Sequence, residues 1–397
     1  MTSAPIAPVP RAATSTAPST PAHTRIASID IVRGVVMILM AIDHVRVYSG
    51  LPAGGASAGI FFTRWITHFV APAFCFFAGT SAFLHAQKLG DMRKLARFLV
   101  SRGLFLVLLE VTVIRFTWTF NLDFRSFVLA GVIWMLGWCM VLLAGLVRFT
   151  PRTVGITGLV IVFLQQLFHF VPRLLPEAAR GPVGRVWEFI YPAGLEGVPG
   201  ISILYVIVPW IGVMAAGYGF GLIITRDESV RRRICTRLGL AATALFVIVG
   251  GALALFGPVG DDAPPLLFRL LNQQKYPASQ LFLLMTLGPT IALLPLAERA
   301  TGRVGSVLAT FGRVPFFYYL LHIPAIHLAA VVVMRMRGTF DPAWYASAPF
   351  ASVPAEQRWS LGLLYVVWAI VVIGLYFPCR WYAGLKARKK HALLSFV

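Results

Sequence analysis

Acidic side chains are scarce in this chain. Only 15 Asp and Glu stand against 35 Lys and Arg among 397 residues, and the four types together make up 13%. A soluble domain carries roughly a quarter charged residues, so the polar cover that a water-facing surface needs is missing. Hydrophobic residues make up 58%, with mean hydropathy +0.78. Lipid suits such a composition, and there only helices and closed barrels satisfy their backbone hydrogen bonds. The apolar runs are long and continuous rather than alternating in tens, which selects helices over a barrel. Cysteine is sparse too. Cys75, Cys139 and Cys379 fall inside or at the ends of apolar runs and Cys235 lies in a basic loop, so neither a disulfide framework nor metal-ligand spacing is visible, and no metal is expected. The net charge of +20 does not point to nucleic acid, because the basic residues sit in short loops between apolar runs. There is no phosphate-binding glycine-rich loop, no His-Glu-x-x-His and no nucleophile elbow.

What is present is a series of apolar segments of about 20 residues, the length that crosses a bilayer. They predict an all-α, polytopic membrane helix bundle with about ten transmembrane helices, at 29–49, 60–86, 97–118, 126–147, 153–172, 200–224, 236–256, 279–297, 311–334 and 360–379. Segment 153–172 is the least apolar, with Gln165, Gln166 and His169. Residues 1–25, rich in Pro, Ala, Ser and Thr, read as a disordered tail, 26–385 as the membrane domain and 386–397 as a basic tail. With both termini in the cytoplasm, the cytoplasmic segments hold 21 Lys and Arg and the opposite loops 10, with four more inside spans. That bias is strongest at Arg231, Arg232 and Arg233 and from Lys386 to Lys390, and it fits the positive-inside rule.

Ionisable groups inside spans are costly and mark function. The first span is richest, running from Ser28-Ile29-Asp30 through Arg33-Gly34 to Asp43-His44-Val45-Arg46. Arg33 and His44 are eleven residues apart, close to three helical turns, so they share a face with a rise of roughly 16 Å between them. Asp30 lies one turn below Arg33 and can pair with it. A structural ion pair and an interior histidine would also explain these residues. Yet Asp43, His44 and Arg46 at one depth are too expensive for packing alone. The second span adds Arg64, Thr67, His68 and Pro72, and the third Arg102, Glu110 and Arg115, which read as structural. In the ninth, Tyr318 and His322 share a face as a second polar wall. Lys275-Tyr276-Pro277 puts a charge and a turn at the outer mouth of the eighth. Gly217, Gly219 and Gly221 signal close helix packing.

These stretches resemble the heparan-alpha-glucosaminide N-acetyltransferase catalytic-domain family. The resemblance rests on Ser28 to His44, Pro72 to Gly79, Pro209-Trp210-Ile211-Gly212 to Gly221, Lys275-Tyr276-Pro277 to Pro289, and Gly312-Arg313-Val314-Pro315 to His322. It implies a multipass acyltransferase of the bacterial inner membrane. The donor would be acetyl-CoA or another acyl-CoA from the cytoplasm, and the acceptor a sugar or glycan hydroxyl or amine at the opposite face. In the wider group of transmembrane acyltransferases, an Arg or Lys followed by ten residues and a His marks the first helix, and Arg33 and His44 fit. The animal enzymes place a reactive histidine in the loop after that helix. Residues 49–59 here contain none, so neither that role nor the glucosamine acceptor is carried over.

On this reading His44, Asp43 and Arg33 are the catalytic candidates, with His44 as general base or transient acyl carrier. Asp43 points elsewhere on the helix and is not simply His44's orienting partner. Asp30, His68, Tyr318, His322 and Lys275 are candidates for substrate binding or oxyanion stabilisation. Arg33, Arg93, Lys94, Arg97 and Arg313 are candidates for holding the CoA. Membrane lipid, acyl-CoA and a glycan acceptor are the expected partners, and a homodimer is left open. The rival reading is a multipass transporter or flippase, for which two halves with matching broken helices would speak. No clear internal repeat is visible.

Overall fold

A computed structural model describes residues 26–54, 57–124, 128–194, 198–260, 263–341 and 353–388. The expected tail 1–25 and residues 389–397 of the expected basic tail lie outside the described residues. The chain is all-α in character, 79% helical. In order the helices are α1 (Ala27–Ser49), α2 (Ala58–Trp65), α3 (Val70–Leu89), α4 (Met92–Leu109), α5 (Arg115–Thr119), α6 (Val132–Leu146), α7 (Pro151–Phe163), α8 (Glu177–Ile190), α9 (Trp210–Ile224), α10 (Glu228–Phe256), α11 (Leu266–Leu271), α12 (Gln280–Arg299), α13 (Gly302–Arg313), α14 (Pro315–Met336) and α15 (Leu361–Arg388). The last of these carries Lys386, so the expected tail 386–397 begins inside a helix.

Among the described residues, five helical segments are long and apolar enough to cross a membrane: Ala58–Leu89, Glu228–Phe256, Gln280–Arg299, Pro315–Met336 and Leu361–Arg388. The first runs from α2 to α3 through a 3-10 turn at Ile66–Phe69, one turn before Pro72, whose ring crowds the preceding turn. The other expected segments are helical but less regular. α1 and α4 carry too many charges to join the five: Asp30, Arg33, Asp43 and Arg46 on α1, and Arg93, Lys94, Arg97 and Arg102 on α4. α6 and α9 have 15 residues each, because Val128–Ala130 in segment 126–147 and Ile201–Ile203 in segment 200–224 are extended. There β1 (Val128–Ala130) pairs in parallel with β2 (Ile201–Ile203). Segment 153–172 bends by 72° between α7 and a 3-10 stretch, Gln165–Leu174. Segment 311–334 breaks at Val314 (φ −131°, ψ 49°), where Pro315 disfavours helical backbone in the residue before it and then opens α14.

Helix starts follow local chemistry. Asp91 accepts the Arg93 and Lys94 amides to cap α4, Thr150 accepts the Thr153 amide ahead of Pro151, and Ser279 accepts the Phe282 amide. The buried Glu110 accepts the Ile133 amide at 3.1 Å, capping α6 from a π-helical turn at Glu110–Ile114. Arg115 donates to Thr119 and to the carbonyls of Asn121 and Asp123, tying down the loop after α5. Both residues read as structural in the sequence, and these bonds give the reason.

α1 sits centrally, packed on α3, α12, α13, α14 and α15. Glycine permits the closest approaches. Gly312 of α13 lies on the Asp30 carbonyl, and Gly34 of α1 on the Leu308 carbonyl. On α9, Gly217 faces Phe76 of α3, Gly219 faces Gly155 of α7, and Gly221 faces the Phe83 ring. The packing predicted for that glycine run is thus present on two sides of the helix. Outside, α10 exposes Leu240, Ile248, Leu253 and Phe256, an apolar face suited to lipid.

Candidate active site

The helical assembly encloses a cavity of about 360 Å³ beside α1, walled by α3, α4, α6, α13, α14 and α15 and by the loop residues Tyr205 and Lys275. Arg33 and His44 both line it. At the Arg33 end the wall carries Ser81, His85, Arg102, Arg313 and Lys386. At the His44 end it carries Asp43, Thr67, Tyr205 and Lys275. Met40, Phe74, Leu99, Leu136 and Met140 contribute apolar surface. Asp43 is the one carboxylate among the lining residues, against Arg33, Arg102, Lys275, Arg313 and Lys386.

Arg33 donates to the Phe77 carbonyl at 2.6 Å and to the Ser81 hydroxyl, which fixes its guanidinium against α3. Asp43 is gripped from two sides: Arg46 Nε lies 3.1 Å from Oδ1 and Arg64 Nη1 2.9 Å from Oδ2. Its carboxylate is therefore directed to arginines, and His44 is oriented by another group.

That group is His322. His44 Nδ1 lies 2.6 Å from His322 Nε2, and His322 Nδ1 lies 2.6 Å from the Tyr319 carbonyl oxygen. A carbonyl only accepts, so His322 Nδ1 carries a proton. While that ring is neutral its Nε2 must accept, and His44 Nδ1 donates. The chain of partners thus assigns the tautomers and leaves His44 Nε2 as a lone pair. Among the described residues no group hydrogen-bonds that nitrogen, and the ring lines the cavity. Trp118 packs edge-on against the His44 ring at 5.0 Å, restricting its rotation.

The other predicted site residues divide. Lys275 and Arg313 are on the cavity wall. Lys275 is buried, with Nζ 5.2 Å from the Tyr276 ring centre and 5.9 Å from that of Tyr205, and burial lowers its pKa. His322 is fully buried behind His44 and not on the wall. Tyr318 stacks on His322 at 5.5 Å, so the expected shared face exists, but Tyr318 is not on the cavity wall, and among the described residues its hydroxyl has no hydrogen-bond partner. His68 is buried against Phe282, also off the wall. Asp30 is buried where α1 meets α13. Arg93, Lys94 and Arg97 are exposed on the first turns of α4 and are not brought to the cavity. Arg102, one to three turns further along α4, is. From the sequence Arg102 reads as a structural charge and Lys386 as an orienting one, and Tyr319, Tyr205 and His85 carry no local signal of a site. Among the described residues no group of three or more His, Cys, Asp or Glu is placed to hold a metal ion.

The family described as heparan-alpha-glucosaminide N-acetyltransferase, catalytic, matches residues 25–256. The chain belongs to this family. The match covers more than half of the chain, from α1 through α10, and includes Arg33, Asp43, His44, Arg64 and Arg102. The resemblance seen in the first span is therefore confirmed, and with it a membrane acetyltransferase-type family. Lys275, Arg313 and Lys386 lie beyond the matched region and complete the cavity from the C-terminal third, and His322, behind His44, lies beyond it too. No curated protein matches the chain.

Proposed function

We propose that this protein is a transmembrane acyltransferase that moves an acetyl or other acyl group from acyl-CoA to a hydroxyl or amine acceptor, probing the two substrates at opposite ends of the cavity. The single observation that carries this reading is the hydrogen-bond chain from the Tyr319 carbonyl through His322 to His44, which holds an unprotonated imidazole nitrogen at one end of a cavity whose other end is cationic. Family membership supports the same chemistry.

Arg102, Arg313 and Lys386 suit the phosphates of CoA, with Arg33 beside the path of the pantetheine arm. Arg93, Lys94 and Arg97 serve at most as an outer attracting field. At the far end His44 Nε2 takes the proton from the acceptor hydroxyl or amine as its oxygen or nitrogen attacks the thioester carbonyl. The new ester or amide bond forms, the C–S bond breaks, and the proton passes from His44 to the departing CoA sulfur. Tyr319 belongs to the same cavity wall and its phenol is the candidate for the developing oxyanion, in place of His68, Tyr318 and His322, while the Thr67 hydroxyl is committed to the Arg64 carbonyl. In the membrane we place ten crossing segments, with α1, α4, α6, the α7 pair and α9 added to the five apolar ones. Both termini and the Arg33 end face the cytoplasm, and the acceptor is a sugar or glycan at the opposite face of a bacterial inner membrane. The domain boundaries 1–25, 26–385 and 386–397 belong to the same proposal.

The test is transfer of label from acetyl-CoA by purified protein in lipid nanodiscs. His44→Ala should lower the rate by about 10²–10⁴-fold, the usual contribution of a general base. Undiminished transfer by this variant would remove His44 from the mechanism. Substrate crossing the membrane without release of CoA would favour the transporter reading instead.

A further inference from the structure

The cavity is cationic at both ends, and donor phosphates account for only one of them. At the His44 end stand Asp43, Arg46, Arg64 and Lys275, three cations to one anion, and both oxygens of Asp43 are already taken by Arg46 and Arg64. Lys275 is only 8% exposed and forms part of the cavity wall. Among the described residues no carboxylate lies within ion-pair distance of its ammonium. Its neighbours are the faces of Tyr205 and Tyr276, with the neutral Tyr276 hydroxyl as a hydrogen-bond partner. Two aromatic faces offset only part of the cost of taking an ammonium out of water, so this group is short of a counter-charge.

Resting on the acyltransferase reading, we infer that the acceptor carries an anionic oxygen group, a phosphate or carboxylate, beside the hydroxyl or amine that is acylated, and that Lys275 binds it. The position suits this. Lys275 and His44 line the same end of one cavity, so an acceptor anchored by its anion at Lys275 presents a neighbouring group to His44 Nε2. Tyr205 and Tyr276 form the side of that anchor. A sugar acid or sugar phosphate free in solution and a sugar carried on a polyprenyl phosphate share this chemistry.

The experiment uses the full chain in nanodiscs with saturating CoA, which occupies the Arg33 end and removes it as a competing anion site. Thermal stabilisation is measured with methyl glucoside, glucuronate, glucose 1-phosphate and a polyprenyl-phosphate sugar. At least one anionic probe should bind ten-fold or more tighter than methyl glucoside. Response to the soluble anions, or only to the polyprenyl-linked one, tells the two sources apart. Lys275→Met should abolish the preference, and Lys275→Arg should retain it, which separates lost charge from lost folding. Equal binding of neutral and anionic probes, or an unchanged preference in Lys275→Met, overturns the proposal. CoA release from acetyl-CoA is followed separately. Its absence with every probe would sink the acyltransferase reading while leaving the binding preference measurable.

Discussion

Replacing His322 by Phe tests the assignment of tautomers directly. An aromatic ring is kept, but the acceptor for His44 Nδ1–H disappears, 2.6 Å from where it is needed. Two responses are open to His44. It can keep its proton on Nδ1 and leave a buried donor unsatisfied, at about 1–3 kcal/mol. Or it can move the proton to Nε2, which abolishes the lone pair facing the cavity. Either way the active form is depleted by that free energy, about 5- to 150-fold at 1.36 kcal/mol per decade. The loss should fall on kcat, with KM for acyl-CoA unchanged, because Arg33, at the proposed CoA end, lies roughly 16 Å away along α1. His322→Gln offers an amide oxygen to His44 and an N–H to the Tyr319 carbonyl, so it should recover part of the rate. Nitrogen NMR of His-labelled protein reads the tautomer independently: the wild type should show His44 protonated on Nδ1. An Nε2-protonated His44, or wild-type kcat in His322→Phe, would refute the argument.

Arg102→Ala should raise KM for acetyl-CoA about 10- to 150-fold, the range of a lost charge-assisted hydrogen bond, and less with dephospho-CoA; an unchanged KM would take Arg102 out of the donor site. Gly312→Ala should lower stability by about 1–3 kcal/mol, since the added methyl meets the Asp30 carbonyl, while Gly145→Ala, with open space around it, should be neutral or stabilising. Calorimetry of the two variants in one detergent checks the contrast, and equal midpoints would argue against the close approach of α1 and α13. Burial lowers the Lys275 pKa below its ordinary 10.5, with Arg64 adding to the depression. Between the lowered value and 10.5 the unfolded chain binds more protons than the folded one, so ligand-free stability should rise with pH across that window and be flat below it. Lys275→Met should lose this slope, as read from denaturation midpoints; a slope retained in the variant would assign it elsewhere.

Much of the site was legible where spacing along one helix determines it. Arg33 and His44 share a face of α1 because eleven residues make three turns, and both line the cavity. Lys275 was legible as a charge beside a turn at a span mouth. What failed to show depends on contacts between helices. Tyr318 and His322 are neighbours at i, i+4 and do stack, but which of Tyr318 and Tyr319 meets the cavity depends on the rotation of α14. That rotation is set after the break at Val314, which the Val314-Pro315 pair could have signalled. Arg102 reads as a structural charge within a span and Lys386 as an orienting one, because nothing local separates a cation facing a cavity from one that serves packing or topology. The short pairing of β1 with β2 joins residues some seventy positions apart, and their apolar composition reads equally well as helix.

The cavity's two cationic ends also bear on the choice between transfer and transport. A carrier needs groups that bind its cargo and let it go, and ionisable residues in spans serve that well. It has no evident need for an imidazole whose proton is fixed on one nitrogen by a second imidazole and a main-chain carbonyl. A proton-abstracting catalyst does need that, because a base with its lone pair directed at the reacting group acts only from a defined tautomer and orientation. The Asp43 clamp points the same way. With Arg46 and Arg64 holding both of its oxygens, Asp43 is kept from His44, and the imidazole is left to pair with His322 alone. If Asp43→Asn freed those arginines without changing acyl transfer, the separation of the two groups would be incidental. A loss in kcat with the His44 tautomer disturbed would show that this clamp preserves the base.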